Sequence, residues 1–260
     1  MSGGEVRQVA RTIGDHPLVE LGARLGYAAN GVIHLVIAWI GVQLAFAQRS
    51  ETADQSGAFR TMAATTAGRL ALWAAGAGLI LLAVWQVTEA VLRRDLPARA
   101  KALAKALGYA ALGLAAAAAA RGGGADSSTQ TRDFTAALMD RPLGLVLVAA
   151  VGGVVIAVAA YHGYKGWTAR FLRDLAEHPP GWVRAAGRYG YLAKGVALVV
   201  VGALFVVAAV SQHAEESSGL DGAMRTLMDL PGGRVPLVLV AVGFGAFAVY
   251  SAARARYARV

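Results

Sequence analysis

Gly26-Tyr27-Ala28-Ala29-Asn30-Gly31, Gly108-Tyr109-Ala110-Ala111-Leu112-Gly113 and Gly190-Tyr191-Leu192-Ala193-Lys194-Gly195 are three copies of one opening. Each is a Gly-Tyr pair with a second glycine five residues after the first, and the copies stand 82 residues apart (108 − 26 and 190 − 108). A basic residue precedes each copy: Arg24, Lys105 and Arg188. A fixed period of this kind marks a repeat architecture, in which one supersecondary unit is used several times.

From each opening an apolar run extends. Charge-free stretches occupy 25–48, 70–88, 106–120, 142–164, 195–214 and 235–253. A bilayer-spanning helix needs about 20 largely apolar residues at a rise of about 1.5 Å each. Five runs meet or nearly meet that length. The third, mostly alanine, reaches it only if Lys105 snorkels to the interface. Its alanines predict a tightly packed, central helix. Composition agrees with lipid as the solvent: 57% of the 260 residues are hydrophobic and 16% are charged, and the mean hydropathy is +0.50. The expected fold is all-α, a polytopic membrane protein of six transmembrane helices in three tandem hairpins, arranged as a pseudo-threefold bundle. An N-terminal arm covers 1–21, and the hairpins cover 22–95, 103–175 and 186–257.

Loop charge sets the orientation. The N-terminal arm, the second loop, the fourth loop and the tail hold 3, 5, 5 and 3 Lys or Arg, together 16, against 8 in the other three loops beside 9 acids. By the positive-inside rule the first set faces the cytoplasm, with both termini inside. All eight tyrosines fall near that side, which predicts an aromatic belt at the inner interface. The formal charge of +9 therefore addresses anionic lipid headgroups rather than nucleic acid.

The second halves of the repeats also align. Gly57-Ala58-Phe59-Arg60-Thr61-Met62 matches Gly222-Ala223-Met224-Arg225-Thr226-Leu227, and Leu138-Met139-Asp140-x-Pro142 matches Leu227-Met228-Asp229-x-Pro231. Each outer loop thus carries a short amphipathic helix expected at the outer interface. The even-numbered spans end in an aromatic residue with a charge four positions on, Trp85/Glu89, Tyr161/Lys165 and Tyr250/Arg254, each pair on one helix face. Gly78 corresponds to Gly243 and Gly76 to Gly152, small residues placed for close helix packing.

The RxGYxxxG opening, the threefold repetition and the Leu-x-x-x-Pro-x-Gly-like start of the even spans resemble the bacterial membrane family known as domain of unknown function 1206. The resemblance runs from Gly22 through nearly the whole chain. It implies the hairpin topology and carries no chemistry. In that family's pattern a basic residue often precedes the second glycine; Lys194 keeps it, while Asn30 and Leu112 depart.

Polar residues inside a span are costly and mark candidate sites. Asn30, His34, Glu89, His162, Lys165, Lys194 and Arg254 form a candidate polar layer in the inner leaflet. They would line a cavity for an ion, a proton or a lipid headgroup. The plainer reading has Lys165, Lys194 and Arg254 snorkelling outward, with Glu89 paired to a neighbouring repeat's base. His34 and His162 could be imagined as haem ligands, but a hydrogen-bonded structural histidine is the simpler assignment. The chain has no cysteine, which excludes disulfides and thiolate metal sites, and it carries no His-Glu-x-x-His or nucleotide motif. No metal, cofactor or catalytic residue is expected. The composite expectation is a non-enzymatic accessory, scaffold or lipid-interacting bundle of the bacterial cytoplasmic membrane, open to a membrane-protein partner. The alternative is a small-solute or ion carrier or channel.

Overall fold

The structure is a computed structural model that describes residues 17–46, 52–92, 95–124, 126–175 and 179–257. The N-terminal arm therefore lies outside the described residues as far as residue 16, and residues 17–21 belong to the first helix. The elements are α1 (Pro17–Ala45), α2 (Gln55–Ala63), α3 (Thr66–Leu92), α4 (Leu96–Ala120), α5 (Ser127–Met139), α6 (Gly144–Trp167), α7 (Gly181–Ser211), α8 (Gly219–Asp229) and α9 (Arg234–Tyr257). Two 3-10 turns, Arg170–Asp174 and Ala214–Glu216, follow α6 and α7.

Six helices, α1, α3, α4, α6, α7 and α9, are long and apolar enough to cross a membrane. The all-α chain is a multi-pass membrane protein of three helical hairpins, α1/α3, α4/α6 and α7/α9. The third span is longer than its charge-free run. Asp95 caps α4 by accepting from the Ala98 amide at 3.2 Å, with a proline in the first turn, so the helix starts ten residues before Ala106 and takes in Lys101 and Lys105. One turn recurs before each even helix. A methyl group built on Gly68, Gly144 or Gly233 would fall 1.9, 2.2 or 2.1 Å from the carbonyl oxygen of Met62, Leu138 or Met228, so only glycine fits there.

The closest-packed helix pairs belong to different repeats: α3 with α4, α6 with α7, and α9 with α1. Within hairpins, α1 packs on α3 and α7 on α9, but no comparable packing joins α4 to α6. The six spans form a ring in sequence order with one open joint. The motif glycines make these joints. The second glycine of each copy seats against the preceding even helix: a methyl on Gly31, Gly113 or Gly195 would lie 3.1, 3.0 or 3.2 Å from the carbonyl oxygen of Ala248, Gly76 or Ala159. The first glycine seats against its own hairpin partner. A methyl on Gly26 would lie 3.0 Å from the Gly78 carbonyl oxygen, and one on Gly190 would lie 2.6 Å from Phe247 Cα. A methyl on Gly108 would meet nothing within 4 Å. At the α6 position equivalent to Gly78 and Gly243 stands Val154, 63% exposed, whose branched side chain keeps a second backbone away.

Threefold symmetry is broken a second time in the same repeat. Gly152 of α6 crosses Gly202 of α7, and 202 − 82 gives position 120 of α4. Gly76, the equivalent of Gly152, instead crosses Gly113. The α4 helix has slid seven residues (120 − 113) along α3, about 10 Å at the helical rise, toward the end that carries the short helices. Gly76 and Gly113 allow the slip because neither backbone has a side chain in the way.

That short-helix end is closed by a cap. Asp54 caps α2 at the Gly57 amide (3.0 Å) and accepts from Ser127 at the start of α5. Asp221 of α8 accepts from the Ala53 amide (2.7 Å) and from Arg225 (2.9 Å), while Arg60 pairs with Asp126 at 3.5 Å. Phe59 and Met224 drive the cap into the main core beside Ile37, Ile40, Ala116 and Leu237. The three short helices are therefore bound to one another across the bundle end. Two expectations are corrected. The alanine-rich α4 packs closely on α3 but is peripheral rather than central, with Leu107 and Leu114 exposed to the hydrocarbon, because no helix among the described residues seals its α6 side. The tyrosines do not all form a belt: Tyr27, Tyr191 and Tyr250 are buried in the bundle, where protein groups meet their hydroxyls.

Candidate functional site

At the opposite, basic end, the helices bring most of the polar candidates together. Asn30, His34, His162, Lys165, Lys194 and Arg254 line one cavity of about 540 Å³. Glu89 lines an adjoining chamber of about 380 Å³. The two chambers share Lys101, Lys105, Arg173, Asp174 and Arg254.

The α1 helix places Asn30 and His34 one turn apart on one face. His34 is buried, its ring stacked 5.8 Å from Phe244 and tilted 4.7 Å from Phe247. Its Nδ1 lies 2.8 Å from the Asn30 carbonyl. A carbonyl only accepts, so the proton is assigned to Nδ1, and Nε2 keeps its lone pair. Lys194 Nζ donates to that lone pair at 3.1 Å and sits 4.0 Å from the centre of the Phe247 ring. His34 is thus already bonded at both nitrogens. His162 on α6 likewise donates to its own helix, at the Val158 carbonyl 2.9 Å away. Asn30 Nδ2 reaches Ser251 at 3.4 Å across the α1/α9 joint.

The basic residues turn inward instead of snorkelling. Lys165 donates to Asp174 at 2.6 Å and stands 5.0 Å from the Tyr191 ring centre. Arg254 lies over Tyr27 (4.3 Å), donates to its hydroxyl at 3.3 Å and approaches Asp174 at 3.9 Å. The cause is Asp174, which the 3-10 turn after α6 folds back beneath the bundle. Phe171 anchors that turn: it is buried against Tyr191 and Tyr250 at 5.4 and 5.1 Å, and its carbonyl accepts from the Tyr250 hydroxyl at 3.1 Å. Arg254 Nε is buried with no acceptor among the described residues.

Several cavity residues lay outside the candidate set. Lys101 and Lys105 count as loop charges as long as the helix is read from the charge-free run that begins at Ala106. Read as helix, Lys101, Lys105, Tyr109 and Leu112 form a stripe of one-turn steps, and all four line the cavity. That stripe was the available signal. Asp174 and Arg173 had no such signal, since the 3-10 turn that carries them has no repeat counterpart among the described residues. The slip of α4 also corrects the equivalence of Asn30, Leu112 and Lys194. A shift of seven residues brings Lys105 to the level that the period assigns to Leu112. Leu112 moves deeper, toward Gln55 of the cap, and lines the far reach of the cavity with it. The motif tyrosines surround the site: Tyr109 and Tyr191 line the main cavity and Tyr27 the adjoining chamber.

The main cavity is strongly basic. Lys101, Lys105, Lys165, Arg170, Arg173, Lys194 and Arg254 line it, against Asp174 as its one acid among the described residues. Such a wall of N–H donors presents point charges and planar forks suited to carboxylate or phosphate oxygens.

The family model for "Domain of Unknown Function (DUF1206)" matches the chain three times, at residues 25–93, 100–169 and 189–258. The chain is also similar to a protein of Bacillus subtilis (strain 168) described as "Uncharacterized protein YxxB", with 25% identity over 254 residues, covering 93% of this chain and 92% of that one. No solved structure matches it. With its three hairpins each covered by the family model, the chain belongs to the DUF1206 family.

Proposed function

We propose that this protein is a non-enzymatic, lipid-interacting bundle of the bacterial cytoplasmic membrane whose basic cavity holds an anionic headgroup. One observation carries the reading: among the described residues, seven bases and one acid line a single cavity at the end richest in Lys and Arg. Like charges gathered in a low-dielectric site repel one another, and a bound anion offsets that repulsion. With both termini on the cytoplasmic side, as the loop charges favour, the cavity lies at the inner leaflet, where anionic lipids concentrate. Any membrane-protein partner would meet the outer faces of the ring and leave the cavity to the anion.

The test is binding of phosphatidylglycerol against phosphatidylcholine to the purified protein in detergent, read by native mass spectrometry. The expected result is retention of the anionic lipid alone and its loss in Lys101→Gln/Lys105→Gln, two exposed positions where substitution spares the core. Equal retention of both lipids overturns the proposal. A carrier for small organic anions is the second reading, favoured by the depth of the cavity. It extends to Leu112 and Gln55, and Leu112 lies sixteen residues into α4, about 24 Å along the helix. Uptake of a labelled anion into proteoliposomes would support that reading over lipid binding.

A further inference from the structure

The cavity at the open joint between α4 and α6 has a basic interior, and an apolar extension lies between α4 and the cap. Beyond Leu112 and Gln55 the cavity meets a second pocket of about 300 Å³, which shares both residues, is lined along α4 by Ala111, Ala115, Ala118 and Ala119, and is closed at the cap by Phe59 and by the polar Arg60, Ser127 and Gln130. One tract therefore runs along α4, charged where Lys101 and Lys105 stand and alanine-lined further on. Thirteen residues separate Lys105 from Ala118, about 20 Å of helix. Along the side of the tract, a methyl on Gly108 of α4 would meet nothing within 4 Å, and Val154, on the same face of α6 as Tyr161, is exposed. Among the described residues a single polar contact crosses the mouth at the basic end, from Lys101 Nζ to the Tyr161 hydroxyl at 3.4 Å, with the same ammonium 5.3 Å from that ring.

We infer that the α4–α6 gap is a side door through which an anionic amphiphile enters from the bilayer. Its headgroup rests on Lys101, Lys105, Lys165 and Arg254, and its tail lies along the alanine face of α4. The occupant is a membrane lipid bearing a phosphate or carboxylate, because the order of the tract matches it. Charge sits at the end where an inner-leaflet headgroup lies, and the apolar stretch follows in the direction an acyl chain runs. A free anion would use only the basic half and leave the alanine pocket without a role. The slip of α4 serves this arrangement by drawing Lys105 down to the level of Asn30 and Lys194 and leaving the α4–α6 joint unsealed. This inference rests on the anion-binding reading of the cavity and adds the route and the orientation.

The test uses the full chain in two arms. In vesicles, phosphatidylglycerol with a photoreactive diazirine in its acyl chain is activated, and the labelled peptides are mapped. In detergent, inorganic phosphate is tested for its protection of Lys101 and Lys105 from amine modification. The expected labels fall on the alanine face of α4 and on the facing side of α6. They drop about tenfold, the change that about 1.4 kcal/mol of lost contact gives, in Gly108→Leu and separately in Val154→Trp. The first adds bulk where nothing lies within 4 Å of the built methyl and the second at the exposed joint position of α6, and phosphate protection stays intact in both. Labels spread evenly over all lipid-facing helices, or indifferent to both substitutions, overturn the side door, even where phosphate protects. Absence of both phosphate protection and headgroup-dependent labelling overturns the anion-binding reading and this inference with it.

Discussion

His34 and Lys194 show how a buried charge is kept within the bundle. The lysine has no carboxylate partner in the contacts that hold it; it rests on a neutral imidazole lone pair and an aromatic face. Such an ammonium is stable there because His34 is fixed in one tautomer by the Asn30 carbonyl. Replacing His34 with Phe keeps the ring packing and removes the acceptor, and it is expected to lower stability by roughly 1–3 kcal/mol, the cost of a buried donor losing its partner. Adding Lys194→Met should recover part of that loss, a coupling of about 0.5–3 kcal/mol in thermal melts of the detergent-solubilised protein. Strict additivity of the two changes would show that the hydrogen bond contributes nothing. Asp174 holds the same role for Lys165 and Arg254 by Coulomb attraction. For that reason these bases point in, where reasoning from span ends alone had them reach out.

At the scale of elements, the charge-free runs made the helices legible, and the 82-residue period made the hairpins legible. Both signals are local: a run of apolar residues needs no tertiary knowledge, and the repeat is a property of the text. The slide of α4 along α3 is not local. It depends on which of two bare backbones, Gly76 or the stretch around Ala83, Gly113 finds, and either crossing satisfies the small-residue pattern. The same limit hid Lys101 and Lys105, whose helix is started by the Asp95 cap well outside the apolar run. The glycines offer a direct check. Gly108→Ala adds a methyl to open space in a helix and should stabilise by about 0.5–1 kcal/mol. Gly190→Ala, its repeat equivalent, drives a methyl to 2.6 Å from Phe247 Cα and should destabilise by about 1–3 kcal/mol. Melting temperatures that fall for both would mean that α4 and α6 close on each other in the membrane. In the cap, Asp54→Ala removes the α2 N-cap and the link to Ser127 together. A loss of at least about 1 kcal/mol is expected, measured in the same melts.

For the molecule as a whole, the absence of cysteine makes topology directly measurable. Single cysteines at Gln130, in the cap, and at Ala98, beside the basic chamber, lie at opposite ends of the bundle. In intact cells an impermeant maleimide should modify the first and reach the second only after permeabilisation; the reverse pattern would invert the proposed orientation. The ring has one further consequence. Its first and last spans are packed together, with Arg254 on Tyr27 and Asn30 on Ser251, whereas its break lies inside the second hairpin. The chain's own order therefore does not coincide with the order in which its helices are cemented. A circular permutant that joins the end of α9 to the start of α1 by a linker, beginning at Arg141 and finishing at Asp140, would make the two orders agree. In it each successive span would emerge beside the one it packs against, and the new termini would flank the open joint.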